Sequence, residues 1–129
     1  HGPTRAFTYA SAGHTPGYLL DGCESVKETL SATGLPLGLF PGTVYEASPE
    51  IVLDPGDKLL LLTDGVTESE APGGATFGID QAIEVMRSGK GAHSAEIIVK
   101  LYRAARAWEG EAPQRDDMTM VICAAQLAS

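Results

Sequence analysis

Lys58-Leu59-Leu60-Leu61-Leu62-Thr63-Asp64-Gly65 is the stretch on which the fold turns. Its four leucines are apolar at odd and even positions alike, and the run is short. That pattern fits a central strand covered on both faces better than a half-exposed one, although leucine alone leaves a helix open. Just ahead, Asp54-Pro55-Gly56-Asp57 carries Pro and Gly at the positions favoured in a type II turn, so Lys58 opens a new strand. The strand ends at Thr63-Asp64-Gly65. A second uninterrupted apolar run, Met118 to Ala124, follows Arg115-Asp116-Asp117 and reads as another buried strand.

The other elements are placed around these two strands. Residues 5–11 (RAFTYAS) alternate Phe7 and Tyr9 with smaller or polar residues; a Gly-His-Thr-Pro turn and then Tyr18-Leu19-Leu20 make a hairpin-like pair. Val26 to Leu30, Val44 to Ser48 and Glu50 to Leu53 read as further short strands. Residues 34–42 hold two Pro and three Gly and read as an ordered loop with its Leu and Phe side chains packed inward. Residues 66–78, with Pro72-Gly73-Gly74, read as a flexible, turn-rich stretch. Ile79, Ile83 and Met86 give a short amphipathic helix that Gly89 ends. A second helix is predicted from about Ala95 to Trp108, capped by Ser94, with Ile98, Leu101, Tyr102, Ala105 and Trp108 on one face. Early strands, two helices and a last strand indicate an α+β fold with a largely antiparallel sheet.

Composition narrows the function. The 129 residues fit one compact domain, and 17 acidic against 9 basic residues give a net charge of −8. There is no positive surplus to neutralise a nucleic-acid backbone or an anionic membrane, so neither is an expected partner. No apolar stretch approaches the roughly 20 residues of a membrane-spanning helix. Cys23 and Cys123 form neither a CxxC pair nor a disulfide framework, which fits a reduced, cytoplasmic setting; Cys123, inside the last apolar run, is expected to be a buried thiol. With no initiator Met and strand-like alternation from Arg5, the chain reads as a piece of a larger fold.

Carboxylates sit at the ends of both apolar strands: Asp64 after the first, Asp116 and Asp117 before the second. If the strands are antiparallel neighbours, these ends share one rim. Carboxylates gathered there repel unless a proton or cation intervenes, and hard oxygen ligands suit Mg²⁺ or Mn²⁺. The plainer reading is that Asp-Gly is a turn and Asp-Asp a solvated loop.

The order of the motifs adds a resemblance. Tyr9-Ala-Ser-Ala-Gly-His14 with Pro16 after it, Gly34-Leu-Pro-Leu-Gly-Leu39, Leu53-Asp-Pro-Gly-Asp57, Leu61-Leu-Thr-Asp-Gly-Val-Thr-Glu68 with Phe77-Gly78, and Arg115-Asp-Asp-Met-Thr119 resemble the bacterial SpoIIE/RsbU branch of the metal-dependent type 2C (PPM) serine/threonine phosphatases. The resemblance implies part of an α/β sandwich, two antiparallel sheets flanked by helices, with residues 1–129 as the C-terminal portion of the domain. It implies a two-metal Mn²⁺ or Mg²⁺ centre, with Asp64 and Asp116 as catalytic metal ligands. Asp117 takes an orienting role, and Gly65 allows a tight turn beside the metal. His14 and Arg115 are candidate substrate contacts, against plainer readings in which His14 bonds to backbone and Arg115 pairs with neighbouring carboxylates.

The implied activity is hydrolysis of phosphoserine or phosphothreonine on a regulatory protein of the anti-sigma-factor antagonist type, under an upstream sensor or regulatory domain. The family's early Asp-Gly metal motif has no match before Arg5, so this piece is expected to be inactive alone. A non-catalytic partner-binding module of the same fold is the alternative. Half a sandwich also exposes edges and an apolar face, which predicts dimerisation, strand exchange or marginal stability.

Overall fold

A computed structural model describes residues 4–126. Its elements in chain order are β1 (Ala6–Phe7), β2 (Gly17–Leu20), β3 (Val26–Leu30), β4 (Ile51–Val52), β5 (Lys58–Leu62), α1 (Asp64–Thr67), α2 (Gly78–Ser88), α3 (Ser94–Glu109) and β6 (Met120–Ala124). The leucine run is an inner strand: the main sheet has the order β3-β2-β5-β6, antiparallel throughout, and β1 pairs with β4 in a small second sheet. The fold is α+β with antiparallel sheets and helices, as the sequence indicates.

Period-two alternation splits the leucines between two cores. Leu60 and Leu62, with Leu20 and Ile122, face Val66, Phe77, Ile83 and Met86 and the α3 residues Ile97, Leu101 and Ala105. The opposite face gathers Leu19, Leu30 and Ile51, with Phe7, Tyr9, Leu53 and Leu59 partly buried against them. Burying one such aliphatic side chain is worth about 1.5–3 kcal/mol, so the helix-covered face dominates the stability. The turn before β5 forms as read, with Asp57 N–H donating to Asp54 O at 3.0 Å and Gly56 at φ 93°.

Several expectations are corrected. Residues 5–11 do not pair with Tyr18-Leu20: β1 joins β4, and the chain beyond it is held by Tyr9 and Ser48 through Ser48 N–H to Tyr9 O at 2.7 Å and Tyr9 N–H to Ser48 Oγ at 3.1 Å. Residues 44–48 form no strand. The loop at 34–42 turns its apolar side chains outward, with Leu37 75% and Phe40 63% exposed. It is pinned instead by Pro36 against Gly13 and by the Tyr45 ring against Gly34, so the residues between project into solvent.

The buried face of α3 is centred on Ile97, Leu101 and Ala105, with Ile98 and Trp108 partly buried against the core and Tyr102 exposed, and Ser94 is its first residue, with His93 as a cap that makes no side-chain bond. Cys123 is exposed, because it lies on edge strand β6 opposite Leu59, on the face that the two-stranded sheet covers only in part. Residues 69–77 are an ordered hairpin: Glu70 bridges Thr76, Ala71 N–H donates to Ala75 O at 2.8 Å, and Trp108 Nε1 donates to Ala75 O at 2.9 Å.

At the Lys58 end of the sheet, buried carboxylates are paired with lysines. Glu24 is fully buried against Lys58, and Asp57, 2% exposed, accepts from Lys27 at 2.7 Å and from Asp54 N–H at 2.9 Å. Asp54 first, and Asp57 with it, hold the Lys27 ammonium above the usual lysine range.

Candidate metal centre

At the other end of the sheet, β5 and β6 stay zipped beyond their last strand residues. Leu62 is opposite Met120; beyond them Thr63 N–H donates to Thr119 O at 3.0 Å and Thr119 N–H donates to Thr63 Oγ1 at 2.9 Å. Thr63 Oγ1 also donates to Asp117 O at 3.3 Å. The antiparallel pairing therefore sets the chain at Asp64 beside the chain at Asp116 and Asp117.

Gly65 explains how close they come. A Cβ there would lie 2.9 Å from the carbonyl carbon of Asp117 and 3.5 Å from that of Asp116, a backbone approach that only glycine allows. Asp64 opens α1 and its carbonyl accepts from Glu68 N–H at 2.7 Å. Asp116 is oriented locally: its Oδ1 accepts from Asp117 N–H at 2.7 Å, and its carbonyl accepts from Gln114 Nε2 at 2.8 Å. The carboxylates of Asp64, Asp116 and Asp117 are all exposed.

A polar cavity of about 210 Å³ opens beside Asp116, lined also by Gly65, Glu68, Ser69, Glu70, Glu109 and Arg115. Asp64 and Asp117 do not line it, and among the described residues no group of three or more His, Cys, Asp or Glu side chains is arranged to hold a metal ion. The shared rim is present; a closed carboxylate cluster is not. Two exposed, hard-oxygen carboxylates on touching backbones fit part of a divalent-cation site.

The family described as Stage II sporulation protein E (SpoIIE) matches residues 1–126. The chain belongs to the SpoIIE family. Protein IcfG of Synechocystis sp. is 30% identical over 114 residues, covering 88% of this chain and 18% of that protein. Phosphoserine phosphatase RsbU of Bacillus subtilis is 40% identical over 68 residues, 53% of this chain and 20% of that one. The SiaA-PP2C domain of Pseudomonas aeruginosa superposes with a TM-score of 0.74 at 26% identity, over 93% of this chain and 46% of that one. The chain thus spans about a fifth of the curated relatives it matches and covers part of a SpoIIE/RsbU-type PP2C fold.

His14 is exposed and its Nδ1 donates to Thr15 O at 2.8 Å, which is the backbone-bonded reading. The turn still reaches the rim, because Thr15 Oγ1 donates to Leu62 O at 2.7 Å. Arg115 pairs with neither Asp116 nor Asp117: its Nη1 donates to Glu70 Oε2 at 2.7 Å. Sequence reasoning missed Glu70, Thr15 and the Thr63–Thr119 zipper. Thr63, directly before Asp64, and Thr119, two residues after Asp117, were the available signal, since both lie beside the carboxylates at the strand ends.

Proposed function

We propose that this SpoIIE-family chain contributes to a metal-dependent phosphatase that hydrolyses phosphoserine or phosphothreonine on a regulatory protein. The observation that carries the reading is the β5–β6 pairing, which sets Asp64 and Asp116 on one rim with Gly65 pressed against the Asp116–Asp117 backbone. Kinship with a phosphoserine phosphatase supports the reaction class.

Asp64 and Asp116 would hold Mn²⁺ or Mg²⁺, completed by groups beyond these two carboxylates. When bound, such ions acidify water and offset charge on the phosphoryl oxygens. The chain's own residues orient and receive. Asp117 N–H fixes the Asp116 carboxylate, and the Thr63–Thr119 bonds hold the two strand ends in register. Arg115 supplies a guanidinium at the cavity wall, matched to phosphate oxygens. His14 stands exposed on a turn tied to the same rim and offers a further polar contact to substrate. The anti-sigma-factor antagonist type is the proposed substrate class, with an upstream sensor or regulatory domain setting when the site acts.

The test is Mn²⁺-dependent hydrolysis of a phosphoserine peptide by the full-length protein. Activity abolished by Asp64→Ala and by Asp116→Ala, with folding retained, is the expected result. Hydrolysis indifferent to both substitutions and to chelation would overturn the reading.

A further inference from the structure

In the cavity beside Asp116, the guanidinium that the proposed reaction offers to phosphate is already engaged in an ion pair. Arg115 and Glu70 meet at 2.7 Å with side chains 70% and 39% exposed. Arg115 is the cation on that wall, where the other charged side chains, Glu68, Glu70, Glu109 and Asp116, are acidic. Glu109 already has Arg106, whose Nη2 also donates to Ala112 O at 3.2 Å. A phosphoryl dianion arriving here meets a negative field except at the Arg115 guanidinium, and Glu70 is on it.

The geometry points to Glu70 as an intramolecular competitor for Arg115: its carboxylate occupies the place of the substrate phosphoryl group and yields it when substrate binds. This rests on the reading that a phosphorylated substrate enters at the Asp64 and Asp116 rim. Glu70 touches no substrate; it is a positioning residue that acts through Arg115. The hairpin presents it firmly, since Glu70 bridges Thr76 and Trp108 anchors Ala75. An exposed pair with one contact orients its arginine weakly, so removing the competing charge outweighs the lost order. The size of such pairs sets the effect at no more than about fivefold.

The experiment titrates the full-length, ¹⁵N-labelled protein with O-phosphoserine at fixed ionic strength and follows the rim amides of residues 64–70 and 116–119. Glu70→Gln should bind about two- to fivefold tighter, and Arg115→Gln should lose the response. In the full-length protein, Glu70→Gln should lower KM by a similar factor with kcat unchanged, a split that a merely structural role would not give. Equal or weaker binding by Glu70→Gln, or undiminished binding by Arg115→Gln, overturns the inference. If the unmodified protein shows no Mn²⁺-dependent hydrolysis while O-phosphoserine still competes with Glu70, the phosphatase reading falls and the competition stands.

Discussion

The two ends of the main sheet handle carboxylates in opposite ways. At the Lys58 end, Glu24 and Asp57 are buried and each has a lysine, Lys58 and Lys27. At the Asp64 end, three aspartates stand exposed on touching backbones, and the nearby arginine is turned to Glu70. A buried charge without a partner costs several kcal/mol, so the first arrangement is what folding requires. Exposed acids crowded at a strand end bring no such gain. The difference separates carboxylates that hold the sheet from carboxylates left available to a ligand.

The contrast breaks most sharply at the buried end. Glu24→Ala leaves Lys58 without its partner and should destabilise by about 3–5 kcal/mol in urea unfolding, and replacing Lys58 by Met as well should recover part of that loss. At the open end the same kind of change should spare stability and remove function. Asp64→Ala or Asp116→Ala should lower hydrolysis by the full-length protein at least about a hundredfold, beyond what supporting residues of a metal site usually cost, with an unshifted melting curve. Intermediate in position, Trp108→Phe keeps the ring contact with Phe77 but removes the bond to Ala75 O; a loss of about 1 kcal/mol and faster amide exchange in residues 69–77 are expected.

The smallest effect concerns Asp21, whose carboxyl is held below the ordinary value by the Ser25 N–H first and the Cys23 N–H second. A lowered carboxyl contributes stability above its unfolded value and loses it as pH falls through its folded one. Amide exchange at Cys23 and Ser25 should therefore quicken only in strong acid, while Glu24→Ala loosens this turn at neutral pH.

Leu59 to Leu62 could be read because two-faced apolarity is a local property, and the Asp-Pro-Gly-Asp turn because its backbone demands are local too. Cys123 was misread for the same reason: a run apolar on both faces does not say which face is well covered. On α3, adjacent Ile97 and Ile98 leave the periodicity ambiguous by one residue, and the sheet decides. The β1–β4 pairing and the Glu24–Lys58 pair join distant segments and leave no spacing to detect. At the candidate centre, the motif placed Asp64 and Asp116 on strand ends, but the turn of Arg115 toward Glu70 depends on a hairpin whose order the Pro-Gly-Gly composition concealed.

The main sheet has two unlike borders. Along β3, Lys27 and Glu28 are exposed, and charges of this kind discourage a further strand from adding there. Along β6 the outward residues are Val121 and Cys123, with no charge between Met120 and Ala124. Any lateral extension of this sheet, by another segment or by a second molecule, therefore has a preferred direction, and a lysine at position 121 would close it.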